Sequence, residues 1–209
     1  MADSVAMGRT KTYEFLRALA WPTIHAVLPV KYHNLENLPK EKPFVIITNH
    51  VHALDPMIAA FPVKKDQCFF VGKKELGKNG LFRKFLYNMH CILVDRHNFD
   101  MEAMRTCMRV VKEGNVLVIF PEGTRHHEGQ MEQIESGAAM IVLRAKVPVV
   151  PMYIDKPLKF LRRVNAYVGK PIPYDDLLAE GVNKDTCEKL NERIREVYRK
   201  MIADAEKKN

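Results

Sequence analysis

Residues 44–56 read FVIITNHVHALDP, an apolar run that leads directly into a group of polar side chains. The run at 44–48 predicts a β-strand with both faces covered, because it lacks the alternation of a half-exposed strand. Proline suits the first helical position, so we expect the chain to turn after Asn49 and to begin a helix near Pro56. A strand, a turn and a helix in succession are typical of an α/β fold.

Similar segments recur along the chain. We predict strands at 44–48, 68–71, 92–94, 116–120, 149–154 and 166–168, with helices at 81–89, 101–113 and 134–145. After Pro173 one apolar stripe predicts a helix that covers the sheet or, alternatively, forms a partner surface: Leu190, Ile194, Val197, Tyr198 and Met201. The predicted fold class is α/β, with a single mixed sheet flanked by helices and an N-terminal helical, membrane-associating segment.

The composition fits one folded domain and an anionic partner. The chain has 209 residues, and 33 Lys and Arg against 25 Asp and Glu give a formal charge of +8. This surplus favours phosphorylated small molecules, nucleic acid or a membrane surface, and charge alone does not choose between them. The cysteines, Cys68, Cys91, Cys107 and Cys187, lack the close spacing of disulfide or zinc sites. We therefore expect free thiols in a reducing compartment.

The first thirty residues are predicted to differ from the rest. We expect residues 1–30 to form a helical segment, and residues 31–209 to form the α/β domain with its C-terminal helix. The uncharged stretch 18–30 contains Pro22 and Pro29 and is too short to span a bilayer. Apolar residues such as Phe15 and Leu19, with Lys11 and Arg17 nearby, are typical of an interfacial helix, although packing on the domain is an equal alternative.

His50 and Asp55 are the first candidate catalytic residues. A turn after Asn49 brings the two side chains together, and a carboxylate on one ring nitrogen fixes the tautomer of His50. The other nitrogen can then take a proton from a substrate hydroxyl. Considered alone, Asp55 is equally suited to cap the following helix.

Two further strand ends carry candidate anion-binding residues. Residues 120–125 read FPEGTR, where Gly123 permits a tight turn and the backbone, Thr124 and Arg125 can converge on an anion. Residues 92–96 read ILVDR, so Arg96 also follows a strand. If these strand ends share one edge of the sheet, both arginines can face one phosphorylated ligand. Lys73 is a further candidate phosphate contact.

The three segments, in this order and spacing, resemble the glycerol-phosphate acyltransferase family, especially its lysophosphatidate acyltransferase branch. The resemblance runs from residue 35 to residue 151. It implies that His50, held by Asp55, deprotonates a glycerol hydroxyl of a lysophospholipid that attacks an acyl thioester. It also implies that Arg96, Arg125 and the turn of Glu122, Gly123 and Thr124 hold the acceptor.

The same resemblance implies the co-substrate and the location. The acyl donor is an acyl-coenzyme A or acyl-carrier-protein thioester, and neither a cofactor nor a metal is expected. The partners are an anionic membrane surface and the lysophospholipid acceptor, without nucleic acid, and the protein is expected in the cytoplasm, peripheral on the inner face of the membrane. His52, His90 and Glu135 depart from the residues common in the family, and these departures concern the acceptor and the acyl chain rather than the catalytic groups.

The sequence permits three other interpretations. The pair His50 and His52, with Asp55, is compatible with a metal-dependent hydrolase, although no second ligand cluster is evident. Residues 72–79 (GKKELGKN) approach a phosphate-loop pattern, but Asn79 replaces the required Ser or Thr. Residues 156–163 (KPLKFLRR) interleave cations with apolar residues, as in a basic membrane-binding module without catalysis.

Overall fold

The structure, a computed structural model, describes residues 5–6, 8, 10–26, 28–63, 67–95, 100–123 and 131–207. Within these residues the strands are β1 Val30–His33, β2 Phe44–Thr48, β3 Cys68–Lys73, β4 Cys91–Val94, β5 Val116–Ile119, β6 Val149–Ile154 and β7 Val164–Val168. The α-helices are α1 Lys11–Ala26, α2 Asp55–Ala60, α3 Gly80–Asn88, α4 Met101–Lys112, α5 Ser136–Ala145, α6 Asp175–Ala179 and α7 Lys184–Glu206. Single 3-10 turns lie at Leu35–Asn37 and Lys74–Gly77.

The described strands form one seven-stranded sheet in the order β1-β7-β6-β2-β5-β3-β4. Strands β6, β2, β5, β3 and β4 are parallel, and β7 is antiparallel to β6. The sheet is therefore mixed, as predicted. Because the five neighbouring strands are parallel, their carboxyl ends lie at one edge, where α/β proteins bind ligands.

Helices cover both faces of this sheet. Val45 and Ile47 of β2 point into a core formed with α4, α5 and α7, whereas Phe44 and Ile46 point toward α1 and α2. Both sets are almost fully buried, which explains the continuous apolar run that the sequence shows at this strand. The predicted C-terminal helix covers the sheet, since Leu190, Ile194 and Tyr198 of α7 are inaccessible to solvent.

The predicted strands 44–48 and 149–154 are confirmed residue for residue, whereas β1 was not predicted. The four residues of β1 include Lys31 and His33, so no apolar run marks the strand. Its partner is β7, which lies far along the sequence. Pairing with β7 therefore stabilises a strand that the local sequence does not predict. The strand begins at Val30, one residue before the predicted start of the α/β domain.

Helix α1 packs one side against the domain. Tyr13 is buried and its hydroxyl accepts a hydrogen bond from the Cys68 N–H at 3.3 Å, while Arg17 donates to the carbonyl oxygens of Ala60, Phe61 and Val63. The other side exposes Phe15 and Leu19. Within the described part of the chain, no helix is both long and apolar enough to cross a membrane.

Candidate active site

Directly after β2, the side chain of Asn49 makes the hydrogen bonds that a strand backbone would make. The Asn49 amide is fully buried, donates to the Ile154 carbonyl at 2.9 Å and accepts from the Ile154 N–H at 2.8 Å. This pair of bonds continues the contact between β2 and β6 by one side chain beyond Thr48. The backbone after Asn49 is thus free to turn, and His50 lies just beyond the edge of the sheet.

The predicted contact between His50 and Asp55 is present. His50 Nδ1 donates to Asp55 Oδ2 at 2.9 Å, and the N–H groups of Val51 and His52 donate to the same oxygen at 2.7 Å each. Asp55 is completely buried and is the first residue of α2, followed by Pro56. It therefore does not cap the helix that follows; it fixes the turn and the imidazole orientation.

The second nitrogen of His50 remains available. The side chain retains 19% of its exposure, and its ring lies 4.5 Å from the Phe120 ring between centroids. Among the described residues Nε2 has no hydrogen-bond partner. With Nδ1–H bound to Asp55, Nε2 carries the lone pair, as a general base requires.

Glu122 joins the two strand-end loops. Its Oε2 accepts from the His50 N–H at 3.1 Å, and its Oε1 accepts from the Met131 N–H at 3.2 Å. The side chain is 5% exposed. The sequence assigns Glu122 to substrate binding, whereas these contacts of its carboxylate are to the protein's own backbone. Such bonds hold the β5 loop against the turn that carries His50.

An apolar cavity of about 1090 Å³ opens beside His50. On one face of the sheet it reaches Met104 and Cys107 of α4 and Ile141 of α5, and on the other face it reaches Leu16 and Leu19 of α1. Its volume slightly exceeds the ~300–1,000 Å³ usual for small-molecule sites. Burial raises the pKa of Cys107 to about 12, so this thiol is uncharged at neutral pH.

The remaining predicted site residues divide into two groups. Lys73, the last residue of β3, and Gly123 both line the cavity. The Gly123 N–H donates to the Phe120 carbonyl at 3.1 Å, and its φ of 66° is the left-handed conformation that favours glycine. The predictions for Arg96, Thr124 and Arg125 lie outside the described residues.

Two supporting residues were not predicted from the sequence. Asn49 directly follows β2 and directly precedes His50, and this position was the available signal. Tyr198 of α7 donates its hydroxyl to the carbonyl oxygens of Ile47 and Met152, at 2.6 and 2.9 Å. Burial raises its pKa well above 10, so the hydroxyl stays protonated and ties α7 to the strands that lead into the site.

The described contacts give the metal-hydrolase interpretation no support. His50 Nδ1 is bound to Asp55, and His52 Nδ1 accepts the Leu54 N–H at 3.2 Å. Over the described part of the chain, no group of three or more His, Cys, Asp or Glu side chains is placed to hold a metal ion. The near-match to a phosphate loop is likewise explained structurally, since Asn79 caps α3 by accepting from Leu81 and Phe82 N–H groups.

An α/β sheet that directs a His–Asp pair at an apolar cavity defines an enzyme that activates a hydroxyl group beside an apolar substrate. The sequence matches the family model described as Acyltransferase over residues 29–155. This match covers more than half of the chain, which therefore belongs to the acyltransferase family.

Individual relatives agree with this assignment. The 1-acyl-sn-glycerol-3-phosphate acyltransferase of Bacillus subtilis (strain 168) is 32% identical over 181 residues, which are 82% of this chain and 89% of the relative. The enzyme so named from Streptococcus pneumoniae (strain ATCC BAA-255 / R6) is 29% identical over 202 residues, covering 93% and 74%. The crystal structure of the 1-acyl-sn-glycerophosphate (LPA) acyltransferase PlsC from Thermotoga maritima superimposes with a TM-score of 0.65 at 22% identity, covering 94% and 78% of the two chains, and shares the fold.

Proposed function

We propose that this protein is a 1-acyl-sn-glycerol-3-phosphate acyltransferase, which transfers a fatty acyl group from a thioester to the free hydroxyl of lysophosphatidate in phospholipid biosynthesis. The observation that carries the proposal is the His50 Nδ1–Asp55 bond of 2.9 Å at the mouth of a large apolar cavity. The names of the curated relatives support the same reaction.

In this mechanism His50 Nε2 takes the proton of the acceptor hydroxyl as its oxygen attacks the thioester carbonyl carbon. The carbonyl π electrons move to oxygen, and a tetrahedral intermediate forms. As the intermediate collapses, the carbon–sulfur bond breaks, and the imidazolium returns its proton to the leaving thiolate. Asp55 keeps the ring in one orientation through both transfers. A general base of this kind contributes about 10²–10⁴-fold to the rate.

The acceptor's phosphate is assigned to basic residues that follow the strands. Lys73 lies at the carboxyl end of β3, the edge at which His50 lies, and its side chain is exposed. Arg96 and Arg125 follow β4 and β5, and an arginine fork matches phosphate geometry. Together with Gly123 and Thr124, these side chains would hold the glycerol-phosphate group while His50 works on its hydroxyl.

Acyl chains are assigned to the cavity. Transfer to lysophosphatidate brings together two hydrocarbon chains, one on the acceptor and one on the donor. The cavity extends from His50 toward α4 and α5 on one face and toward α1 on the other, which supports one chain on each side. Burial of methylene groups against apolar walls is worth about 0.8 kcal/mol each.

We further propose that the acyl donor is a coenzyme A or acyl-carrier-protein thioester, and that no other cofactor is needed. The partner surface is an anionic membrane, and the protein lies peripherally on its cytoplasmic face. The exposed Phe15 and Leu19 on α1 and the formal charge of +8 support this placement.

The test offers purified protein lysophosphatidate, glycerol 3-phosphate and a phosphate-free monoacylglycerol, each with both donors in detergent. We expect transfer to lysophosphatidate, with a rate at least about tenfold lower for the phosphate-free acceptor. Lys73→Ala should raise the KM for lysophosphatidate, whereas Lys112→Ala, at the far end of α4, should not. Equal rates with phosphorylated and phosphate-free acceptors would contradict the assigned acceptor.

A further inference from the structure

The connection between β6 and β7 exposes two large apolar side chains at its tip. A tight turn, which we call the β6–β7 tip, is closed by the Arg162 N–H donating to the Lys159 carbonyl at 3.1 Å. Phe160 and Leu161 occupy the two central positions, and their side chains are 72% and 65% exposed. Two adjacent bulky apolar residues at the end of a turn are unfavourable in water, and large exposed apolar groups mark interaction surfaces.

The backbone of this turn makes the choice of residues more unusual. Leu161 adopts a φ of 55°, a left-handed conformation that costs a non-glycine residue free energy. Glycine or asparagine is the ordinary occupant of such a position. A leucine at this position raises the free energy of the backbone and also exposes an apolar side chain to water. A partner that buries the side chain would account for both costs.

Cations surround the tip. Lys159, Arg162 and Arg163 are all exposed and flank Phe160 and Leu161 in the sequence. Apolar groups ringed by Lys and Arg match the chemistry of an anionic bilayer, where apolar side chains enter the interface and cations meet lipid phosphates.

The tip also lies on the side of the molecule that a lipid substrate must enter. It follows β6, which is parallel to β2, so it emerges from the sheet edge at which His50 lies. At its base, Leu158 is buried in a cluster with Val51 and Ile58. Leu28 and Leu54 pack against this cluster and also line the active-site cavity, so the base of the turn and the cavity share a wall.

We propose that the β6–β7 tip inserts Phe160 and Leu161 into the interface of an anionic lipid bilayer, while Lys159, Arg162 and Arg163 bind lipid phosphates. The inserted turn holds the mouth of the cavity against the membrane from which lysophosphatidate is drawn. This inference deepens the proposed function and rests on it for the identity of the substrate. An acidic carrier protein also attracts cations, but it does not account for two apolar side chains projecting from a turn.

The first experiment measures co-sedimentation of the full chain with phosphatidylcholine vesicles and with mixed phosphatidylcholine/phosphatidylglycerol vesicles. We expect Phe160→Ser/Leu161→Ser to weaken partitioning to mixed vesicles by about tenfold or more. The matched control is Leu35→Ser, because Leu35 is also an exposed leucine but lies beside the end of β7 at the opposite edge of the sheet. Its partitioning should stay within about twofold of wild type. Wild-type binding by the double variant would overturn the proposal.

A second measurement reports on insertion itself. Phe160→Trp adds an indole at the tip, and brominated phospholipids in mixed vesicles should quench its fluorescence beyond the quenching of wild type, which contains one tryptophan. If the variant loses no more fluorescence intensity to the brominated lipids than wild type loses, the added indole stays in water and the proposal is wrong.

Activity assays separate this inference from the proposed function. In detergent-dispersed lysophosphatidate, Phe160→Ser/Leu161→Ser should match wild type, and on mixed vesicles its rate should fall with its binding. If wild type transfers no acyl group in detergent, the proposed function fails, while vesicle binding still decides the role of the tip. If Lys159→Glu/Arg162→Glu impairs only the use of acyl-carrier-protein donors and leaves vesicle binding unchanged, the tip contacts a protein and the proposal is wrong.

Discussion

Asp55 Oδ2 accepts hydrogen bonds from His50 Nδ1 and from the N–H groups of Val51 and His52. One buried carboxylate oxygen therefore fixes both the backbone turn and the orientation of the imidazole. Charge-assisted bonds of this kind are about twice as strong as neutral ones. At the residue scale, this explains how His50 keeps one tautomer while its other nitrogen faces the cavity.

The sequence predicts this contact from a turn after Asn49 and a helix that begins near Pro56, which together bring two residues five positions apart into contact. The partners of Glu122 could not be predicted in the same way. His50 lies 72 residues from it, and the two meet because β2 and β5 align Ile47 with Ile119. His50 and Glu122 each lie three residues beyond this aligned pair, so the register places them side by side. The register between two strands so far apart in the sequence cannot be predicted from a local sequence pattern.

The two backbone hydrogen bonds of the Glu122 carboxylate can be tested by substitution. Glu122→Gln leaves one oxygen for two N–H donors, so one buried N–H group should face an amide NH₂ group at a cost of about 1–3 kcal/mol. We expect kcat to fall by at least about tenfold, since the His50 turn shifts, with the KM for lysophosphatidate unchanged. The matched control, Glu132→Gln, changes an exposed carboxylate that follows Glu122 in the sequence and pairs with Arg199. A raised KM with unchanged kcat would instead make Glu122 the substrate contact that the sequence suggests.

His90 gives a pH prediction. It is buried between the rings of Tyr13 and Phe69, with Nε2 at 3.1 Å from the Gly8 carbonyl oxygen. Burial lowers the pKa of His90 below 6.5, although the bond to Gly8 opposes the shift. The unfolded chain therefore binds this proton first as the pH falls. The stability from neutral His90 is complete above pH 6.5 and is lost as the pH falls through the lower, folded-state pKa.

The measurement is urea unfolding of wild type and His90→Asn at pH 7.5 and pH 5.5, which lie on either side of 6.5, the ordinary pKa of histidine. Asparagine tolerates the φ of 59° at this position but does not titrate there. We expect wild type to lose more free energy of unfolding than the variant on acidification. An equal loss in the two proteins would assign the pH dependence to other groups.

At the element scale, the sequence identifies β2 and β6, whose faces are both buried, and misses the edge strand β1. β2 and β6 are buried throughout because helices cover both sides, whereas β1 at the sheet edge has one exposed and two half-buried residues. Helix α7 follows its apolar stripe as predicted. What the stripe does not reveal is the polar contact within it, the Tyr198 hydroxyl that reaches two strands.

Tyr198→Phe tests that contact. The substitution keeps the ring in the core but removes the donor to Ile47 and Met152, so we expect a loss of about 1–2 kcal/mol in the free energy of unfolding. Chemical denaturation measures it directly. Tyr174→Phe is a useful comparison, because its hydroxyl donates to the Val147 carbonyl away from the His50 strand. If both variants lose stability equally and only Tyr198→Phe lowers kcat, α7 supports catalysis as well as folding. Unchanged stability of Tyr198→Phe would show that the two bonds contribute nothing net.

In the whole molecule, α1, α3, α4, α5 and the strand-end loops together form the cavity. The cavity therefore cannot be predicted from any single segment of the sequence. Its mouth lies at the carboxyl edge of the sheet, beside Lys73 and Gly123. His50 and these two residues therefore lie on one side of the protein. The family resemblance anticipates the site, but the depth and direction of the cavity come only from the packing of these elements.

Ala138 on α5 offers a test of the acyl-chain assignment. It is buried and lines the cavity, so Ala138→Leu should shorten the space on the side of α4 and α5. We expect the ratio of kcat/KM for a long-chain donor to that for a short-chain donor to fall by about tenfold or more. The ratio corrects for any general loss of folded protein. An unchanged ratio would place the donor chain elsewhere.

The role of His50 is tested most directly by measuring phosphatidate formation from lysophosphatidate and an acyl thioester by wild type and by His50→Ala. His50 is partly exposed and binds Asp55 through one nitrogen, so the variant should stay folded, which circular dichroism and vesicle binding will check. We predict that kcat falls by at least about 10²-fold, because the proton acceptor at the mouth of the cavity is lost. Undiminished transfer by folded His50→Ala would contradict the account.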